Sequence, residues 1–491
     1  MEPEIQKNSP TQTNAGVNGS QTDQQPYIYK DSDMPFSYWV RKNKYYHQTL
    51  TNWYLFMVPQ GATVLHINCK AGYLFESLNP KVGVGVDVDR RAINEARTGY
   101  GNRYYFHAGT LESLNITYKF EYIILSAITM EQEDIQQFLS NVHRFCRPGT
   151  RIILDMYAGY LKPFVWLAQK IGLHRPVDLK NWISRTDMRN MLYVAGFEIV
   201  TSGSRLLLPV RIPVISWVFN TVLAPLPIIR GACMHQWFVA RSTVATHKGL
   251  QEYSVSVIVT CRNERGNIER VVKECPTMGK HTEIIFVEGG STDGTLEEIQ
   301  RVTQAYKEVR DISWHVQENK GKGDAVRKGF AQAKSDVLMI LDGDLTIEAH
   351  ELSKFFEALV TAKGDLINGS RLVYRMESRA MPWLNWIANW FFGRQFSWIL
   401  GQKIKDTLCG TKVLWKEDYG RIISNRSYFG MHDPFGDFDL LFGAAKLHLK
   451  IVDLPIKYKN RTYGQTNIRR FANGFVLLWM SITAMRKFKL R

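Results

Sequence analysis

The sequence predicts an α/β protein of two successive domains, each built on a largely parallel sheet with helices on its faces. Three observations carry this. From Ala62 onward short apolar runs alternate with longer amphipathic stretches, and the alternation restarts at Tyr253 after the polar stretch RSTVATHKGLQE. In both halves the residues capable of chemistry stand just after an apolar run, where open α/β sheets place their ligands. At 491 residues the chain suits roughly two to four domains, each with its own core. The expected boundaries are a disordered polar tail over 1–28, a first domain over 29–240, a linker over 241–252 and a second domain over 253–491.

The first domain opens with ATVLHINCKAGYL, an apolar strand running into a turn that contains Gly72. About twenty residues on, VGVGVDV forms a second strand that delivers Asp87. A glycine turn lets backbone approach a nucleotide, and an acid after the second strand can bond ribose hydroxyls. YYFHAG, FEYIIL and RIILDMY supply further strands, and FEIV with HQWFVAR could close the sheet.

From about residue 45 to 240 these motifs resemble the class I S-adenosylmethionine-dependent methyltransferases, whose fold is Rossmann-like. VLHINCKAG stands where that family has V-L-D-x-G-C-G-x-G, GVDV matches its second-strand acid, and GTLESL with FEYIILS matches its later motifs. The resemblance implies S-adenosylmethionine as cofactor, with Asp87 at the ribose and Gly72 at the methionine end. The chain departs from the pattern at His66, Asn68, Lys70 and Thr110, and Lys70 brings a positive charge toward a sulfonium ligand. Two readings stay open: an active methyltransferase, or a scaffold that keeps the fold without the cofactor.

The second domain begins at VSVIVT followed by CRNERGNIERVV, a buried-type strand entering an amphipathic helix. Next come EIIFVEGGSTDGT, a strand ending at Glu288 with a turn holding Asp293, and NKGKGDAVRKGFAQA, a basic turn entering a helix. DVLMILDGDLTI is an apolar strand that ends on Asp342-Gly343-Asp344. Two carboxylates flanking a glycine can present oxygens to a hard divalent ion that bridges to phosphate. The basic turn is not a P-loop, because Asp324 follows Gly323 and no G-K-[ST] is present.

In series, these motifs over about 253–491 resemble the family-2 glycosyltransferases of the GT-A nucleotide-sugar fold, in particular the dolichol-phosphate-mannose-synthase-like branch. INGSR, DTLCGTK and VDLPIKYKNRTYG match later signatures of that branch. The resemblance implies a nucleotide-diphosphate sugar as donor, with Glu264 and Glu288 on its base and ribose sides and Asp293 organising the turn. It further implies Lys322 near the donor, and Asp342 and Asp344 holding Mg2+ or Mn2+. Gly289 replaces a second acid of the family pattern, so the nucleotide is open.

An inverting transfer to a hydroxyl needs a general base, and HDPFGDFDLLFGAAKL offers Asp433, Asp437 and Asp439. Matching the following LLFGAAK helix favours Asp439 as catalytic residue, with Asp437 next. A lipid-phosphate acceptor is already a nucleophile and needs cations instead, for which Arg371, Lys457, Lys459 and Arg461 are available. The resemblance implies as acceptor a polyprenyl phosphate or another lipid- or glycan-linked intermediate of surface polysaccharide synthesis; the alternative is a soluble enzyme that uses Asp439 as base on a sugar hydroxyl while the first domain methylates the same glycan.

The net charge of +16 does not spread evenly: residues 446–491 hold eleven Lys and Arg against the single acid Asp453. A basic tail points to a local anionic partner, and no helix-turn-helix, zinc or RNA-binding signature speaks for nucleic acid. Phe475–Met485, flanked by Arg469-Arg470 and Arg486-Lys487, is too short to span a bilayer but suits its interface. MPWLNWIANWFFGRQFSWILG, with Trp383, Trp386 and Trp390 at helical spacing, suits either a packed core or an interface near the acceptor. Six scattered cysteines without metal spacing and an N-terminus without a signal-type apolar core predict a cytoplasmic protein, peripheral on the cytoplasmic membrane face.

Overall fold

In the computed structural model, residues 34–127, 132–174, 181–244, 249–374, 383–428, 433, 436–463 and 470–490 are described, with backbone alone for 383–386 and 470–473. The expected tail over 1–28 lies outside the described residues. The chain divides into two units, one of residues 1–199, 204–219 and 229–245, the other of residues 200–203, 220–228 and 246–491.

The first sheet has seven strands: β1 (Thr63–Ile67), β2 (Val82–Asp87), β3 (Tyr105–Ala108), β4 (Phe120–Ser126), β5 (Cys146–Tyr157), β6 (Phe197–Arg205) and β7 (His235–Ser242). Their order is β3-β2-β1-β4-β5-β7-β6. β1 to β5 run parallel, and β7 lies antiparallel on β5 with Tyr157 opposite His235. Every strand follows an apolar run legible in the sequence. The alternation in VGVGV has a steric reason: a Cβ on Gly85 would stand 2.7 Å from the Phe106 ring and 2.8 Å from the Cys69 sulfur. β7 continues through Ser242, so the first two residues expected in the linker belong to the sheet.

The second sheet also has seven strands: β8 (Ser254–Cys261), β9 (His281–Glu288), β10 (Asp311–Val316), β11 (Val337–Asp342), β12 (Leu366–Ser370), β13 (Lys412–Trp415) and β14 (Ile451–Pro455). Their order is β10-β9-β8-β11-β13-β12-β14, with β13 antiparallel to both neighbours. β10 is an edge strand over DISWHV whose four inner residues are only half-buried and whose ends are exposed, so its sequence lacks the apolar run that marks β8, β9 and β11. β8, β9 and β11 are fully parallel, with Thr260 opposite Asp342 and Cys261 opposite Glu288. That register sets the strand-end acids on either side of the end of β8.

Two longer helices complete this domain, Trp383–Leu400 and Arg470–Phe488. The second exceeds the Phe475–Met485 expected from hydropathy, and it packs Leu477, Met480 and Ala484 into the core while Phe475, Leu478, Trp479 and Ile482 face outward. On Trp383–Leu400, Phe392, Phe396 and Ile399 are buried whereas Ile387, Trp390 and Phe391 are exposed. The side chains of Trp383 and Trp386 lie outside the described residues. Among the described residues, no helix is long and apolar enough to cross a membrane.

Candidate functional site

The second domain gathers its acids around the end of β8. Glu264 is 4% exposed, its backbone N–H donating to Thr295 Oγ1 (2.9 Å) and its carboxylate accepting from Asn267 Nδ2 (2.9 Å). Glu288, the last residue of β9, accepts from the Ser291 backbone in its own turn at 2.5 Å. Asp293 lies in that turn and accepts from the backbone of Thr295 (3.1 Å) and of Arg265 (3.2 Å) and from the Tyr463 hydroxyl (3.2 Å). Asn263 ties the first and second loops together, its Oδ1 accepting from Thr292 N at 2.8 Å. Burial and the nearby carboxylates of Glu264, Glu288, Asp342 and Asp344 push the Cys261 thiol well up.

Asp342 and Asp344 project from the end of β11. Gly343 permits this, because its backbone N–H bonds Thr260 O at 3.0 Å and a Cβ there would lie 2.9 Å from the same oxygen. Each acid already has a cation. Lys322 Nζ lies 2.5 Å from Asp342 Oδ1, and Arg461 Nη2 lies 2.6 Å from Asp344 Oδ2 while Nη1 reaches Glu264 Oε1 at 3.1 Å. Burial resists ionisation of Asp342, but the Lys322 ammonium outweighs it and leaves the carboxyl below its ordinary value. Gly410 of DTLCGTK packs directly against this Lys322–Asp342 pair, where any side chain would collide with both.

Glu264 responds differently. Burial drives its carboxyl up to about 7, partly offset by Arg461 and reinforced by Asp344. A carboxyl raised in the fold contributes stability fully below about 4.5 and loses it as pH rises through about 7. Tm should therefore fall between pH 5 and pH 8, and Glu264→Gln should flatten part of that fall, with a gain at pH 8 on the order of 1–3 kcal/mol. An unchanged pH slope in the variant would remove Glu264 as its source.

Three residues expected to serve the acceptor are engaged in ion pairs. Arg461 sits between Glu264 and Asp344. Arg371 is committed to the buried Asp406, with Nε to Oδ2 at 2.7 Å and Nη2 to Oδ1 at 2.8 Å, and stacks 5.3 Å from the Tyr458 ring centroid. Asp439 turns away: its carboxylate meets Arg426 at 3.0 Å and Arg327 at 3.7 Å in a cleft shared with Tyr419 and Ile422. Asp437 and Asp439 are two apart at the start of a helix (Phe438–Lys446), so their side chains leave on opposite faces. Asp437 faces the site. It accepts from Lys412 Nζ at 2.8 Å, lies in the field of Lys322, and burial holds its carboxyl above the ordinary value. Asp433 caps that helix, accepting from the backbone of Phe438 and Asp439 at 2.9 Å each. Lys457 is exposed, and Lys459 pairs with Glu348 at 2.5 Å.

Sequence reasoning missed Lys412 and Asp406. Lys412 is fully buried and supports Asp437; its only sequence signal is its place in DTLCGTK.

In the first domain Asp87 stands 1% exposed at the end of β2, and Gly72 takes φ 70° under the Phe106 ring. The turn before it keeps left-handed backbone at two non-glycine residues, Asn68 (φ 58°) and Lys70 (φ 52°). Asp87 is already satisfied by its own chain: Oδ2 accepts from Lys70 N at 2.8 Å, Oδ1 from Asp89 N at 2.9 Å, and the Lys70 ammonium lies 3.6 Å away. The Lys70 ammonium thus stands beside the carboxylate to which the resemblance assigns the ribose hydroxyls.

Residues 256–423 match the family model for Glycosyl transferase family 2. Glycosyltransferase AglJ of Haloferax volcanii is 28% identical over 228 residues, covering 46% of this chain and 69% of that protein. Dolichyl-phosphate beta-glucosyltransferase of Saccharomyces cerevisiae is 25% identical over 247 residues, covering 46% of this chain and 72% of that protein. Among solved structures, an S-adenosylmethionine-dependent methyltransferase from Mesorhizobium loti aligns with a TM-score of 0.31 and 16% identity, over 40% of this chain and 97% of that one.

Proposed function

We propose that this chain, whose residues 256–423 form a glycosyl transferase family 2 domain, transfers a sugar from a nucleotide-diphosphate donor to a polyprenyl phosphate at a membrane surface, with inversion. The observation that carries this reading is the double pairing of Asp342 with Lys322 and of Asp344 with Arg461. Two carboxylates and two cations interleaved at one sheet edge are the charges needed for a divalent ion and a diphosphate. The hard oxygen donors of Asp342 and Asp344 fit Mg2+ or Mn2+, which keeps waters and takes its remaining ligands from phosphate.

Asp342 and Asp344 would hold a divalent ion that, when bound, would offset the charge developing on the diphosphate leaving group. Lys322 and Arg461, once their carboxylates turn to the ion, are positioned to hold diphosphate oxygens. Glu264 and the Asn263–Thr292 brace hold the two loops that frame the nucleotide. Asp437, kept in place by Lys412, is the residue placed to orient an acceptor or to take its proton. A phosphate acceptor needs no strong base, which suits a carboxyl already paired with a lysine. The yeast relative bears a dolichyl-phosphate name, which supports the same acceptor class here.

The outward Phe475, Trp479 and Ile482 of the helix Arg470–Phe488, with Arg486 and Lys487 at its end, suit peripheral attachment at an interface on the cytoplasmic face. Deleting this helix would also remove core residues, so the test is Phe475→Glu with Trp479→Glu. That variant should bind anionic vesicles several-fold less than wild type in co-sedimentation, and equal binding would exclude the helix as anchor.

The function itself is tested by incubating UDP- and GDP-sugars with polyprenyl phosphate and Mn2+ and following label into an organic-extractable, acid-labile product. Label that passes only to water or to a soluble glycan would reject the lipid acceptor.

For the first domain the Lys70–Asp87 contact supports the scaffold reading over an active methyltransferase. Calorimetry with S-adenosylmethionine should show no heat of binding, and micromolar affinity would overturn the scaffold.

A further inference from the structure

We propose that the first domain carries a membrane-docking surface of its own, whose occupant is an anionic bilayer. It is built from two segments that leave the sheet side by side. The Ala158 backbone N–H donates to Met234 O and the Met234 N–H to Leu206 O, both at 2.8 Å. The chain after β5, the chain after β6 and the chain before β7 therefore emerge together at one sheet edge.

The first segment is a helix (Lys162–Lys170) that buries little beyond Val165. Phe164, Trp166 and Leu167 on it, and Ile171 just after it, are each at least half exposed. The Lys170 ammonium lies 3.8 Å from the Trp166 ring centroid, pairing an aromatic with a cation as interfacial helices do.

The second segment, 206–219, is inverted relative to a loop built for water. Its polar group is inside: Ser216 is 3% exposed, donating to Val210 O at 2.7 Å and accepting from Ile212 N at 2.8 Å. Beyond the buried Leu206 its apolar groups turn largely outward, with Val214 73% and Trp217 61% exposed. The hydrogen bonds through Ser216 make the turn a built feature, and the prolines at 209 and 213 stiffen it. Exposed apolar clusters of this kind mark contact sites.

Charge selects the occupant. No Asp or Glu occurs between Glu198 and Glu252, or between Asp155 and Asp178, whereas Lys162, Lys170, Arg205, Arg211 and Arg230 fall in these stretches. Apolar side chains and aromatics among charges of one positive sign match the headgroup region of an anionic leaflet, which attracts each Lys or Arg near it. This surface does not depend on the proposed transferase reaction or on the helix Arg470–Phe488.

The test uses the full chain with vesicles of 70:30 phosphatidylcholine and phosphatidylglycerol. Trp166→Glu with Trp217→Glu should lower vesicle co-sedimentation at least about five-fold while leaving donor turnover in solution unchanged. Both residues are exposed, so circular dichroism should match wild type. Hydrogen exchange of the unmodified protein gives a readout that needs no variant: 159–173 and 206–219 should gain protection on anionic vesicles and not on phosphatidylcholine alone. Unchanged co-sedimentation, or unchanged exchange in both segments, overturns the proposal. So does a double variant that keeps its vesicle binding but converts a dimer to a monomer in sedimentation velocity, which would assign the surface to a protein partner.

Discussion

Asp344→Ala is expected to lower donor turnover by at least about 100-fold, the scale lost when one preorganised electrostatic contact to developing charge is removed. Asp344 contributes an oxygen at the position proposed for the divalent ion, and its loss also removes one of the carboxylates paired with Arg461, leaving the Glu264 contact in place. The charge that should spread over ion and diphosphate would then be drawn toward Glu264. The fold should survive: Asp344 lies in the loop after β11, and its other hydrogen bonds are local, to Thr346 N and Oγ1. Tm is expected within about 5 °C of wild type, the shift of a loss near 1 kcal/mol. Turnover equal to wild type across UDP- and GDP-sugars with Mn2+ would reject the metal assignment. Added Mn2+ should shift the Tm of the wild type and not that of the variant, which separates lost ion binding from lost donor binding.

Asp437→Asn should produce the second large effect, and it separates the two acceptor classes. If a hydroxyl accepts the sugar, removal of a general base costs about 100- to 10,000-fold. If a phosphate accepts it, only positioning is lost, and the expected decrease is about ten-fold. Stability must be separated from chemistry here, because Asp437 neutralises Lys412, which is fully buried. Breaking one half of such a pair costs on the order of 3–5 kcal/mol. The double variant Asp437→Asn with Lys412→Met removes the stranded charge and should recover most of the stability without recovering transfer. Recovery of both would make Asp437 a structural residue. Asp439→Asn is the matched control: its carboxylate faces Arg426 and Arg327, and transfer should change less than about two-fold.

Much of this was legible in the sequence because it lies in local patterns. SVSVIVTC, HTEIIFVE and VLMILD announce buried parallel strands, since strands covered on both faces read as continuous apolar runs. An acid directly after such a run must lie at the sheet's ligand edge, so Glu288, Asp342 and Asp344 were placed by position alone. β10 escaped because an edge strand covered on one side does not need that run. Alignment to a helix does not show which face of its first turn each acid takes, so that Asp437 meets Lys412 while Asp439 meets Arg426 was not legible.

The sequence by itself determined the two α/β domains, their strand-end acids and the motifs that connect the second domain to its family. Only the tertiary structure decided which charges meet. Asp344 pairs with Arg461, Arg371 with Asp406, Asp437 with Lys412 and Asp87 with Lys70, at sequence separations of 117, 35, 25 and 17 residues. Strand and helix formation follow from side-chain periodicity within a few residues. Ion pairing follows from distance and burial, which exist only once the loops between those elements have closed.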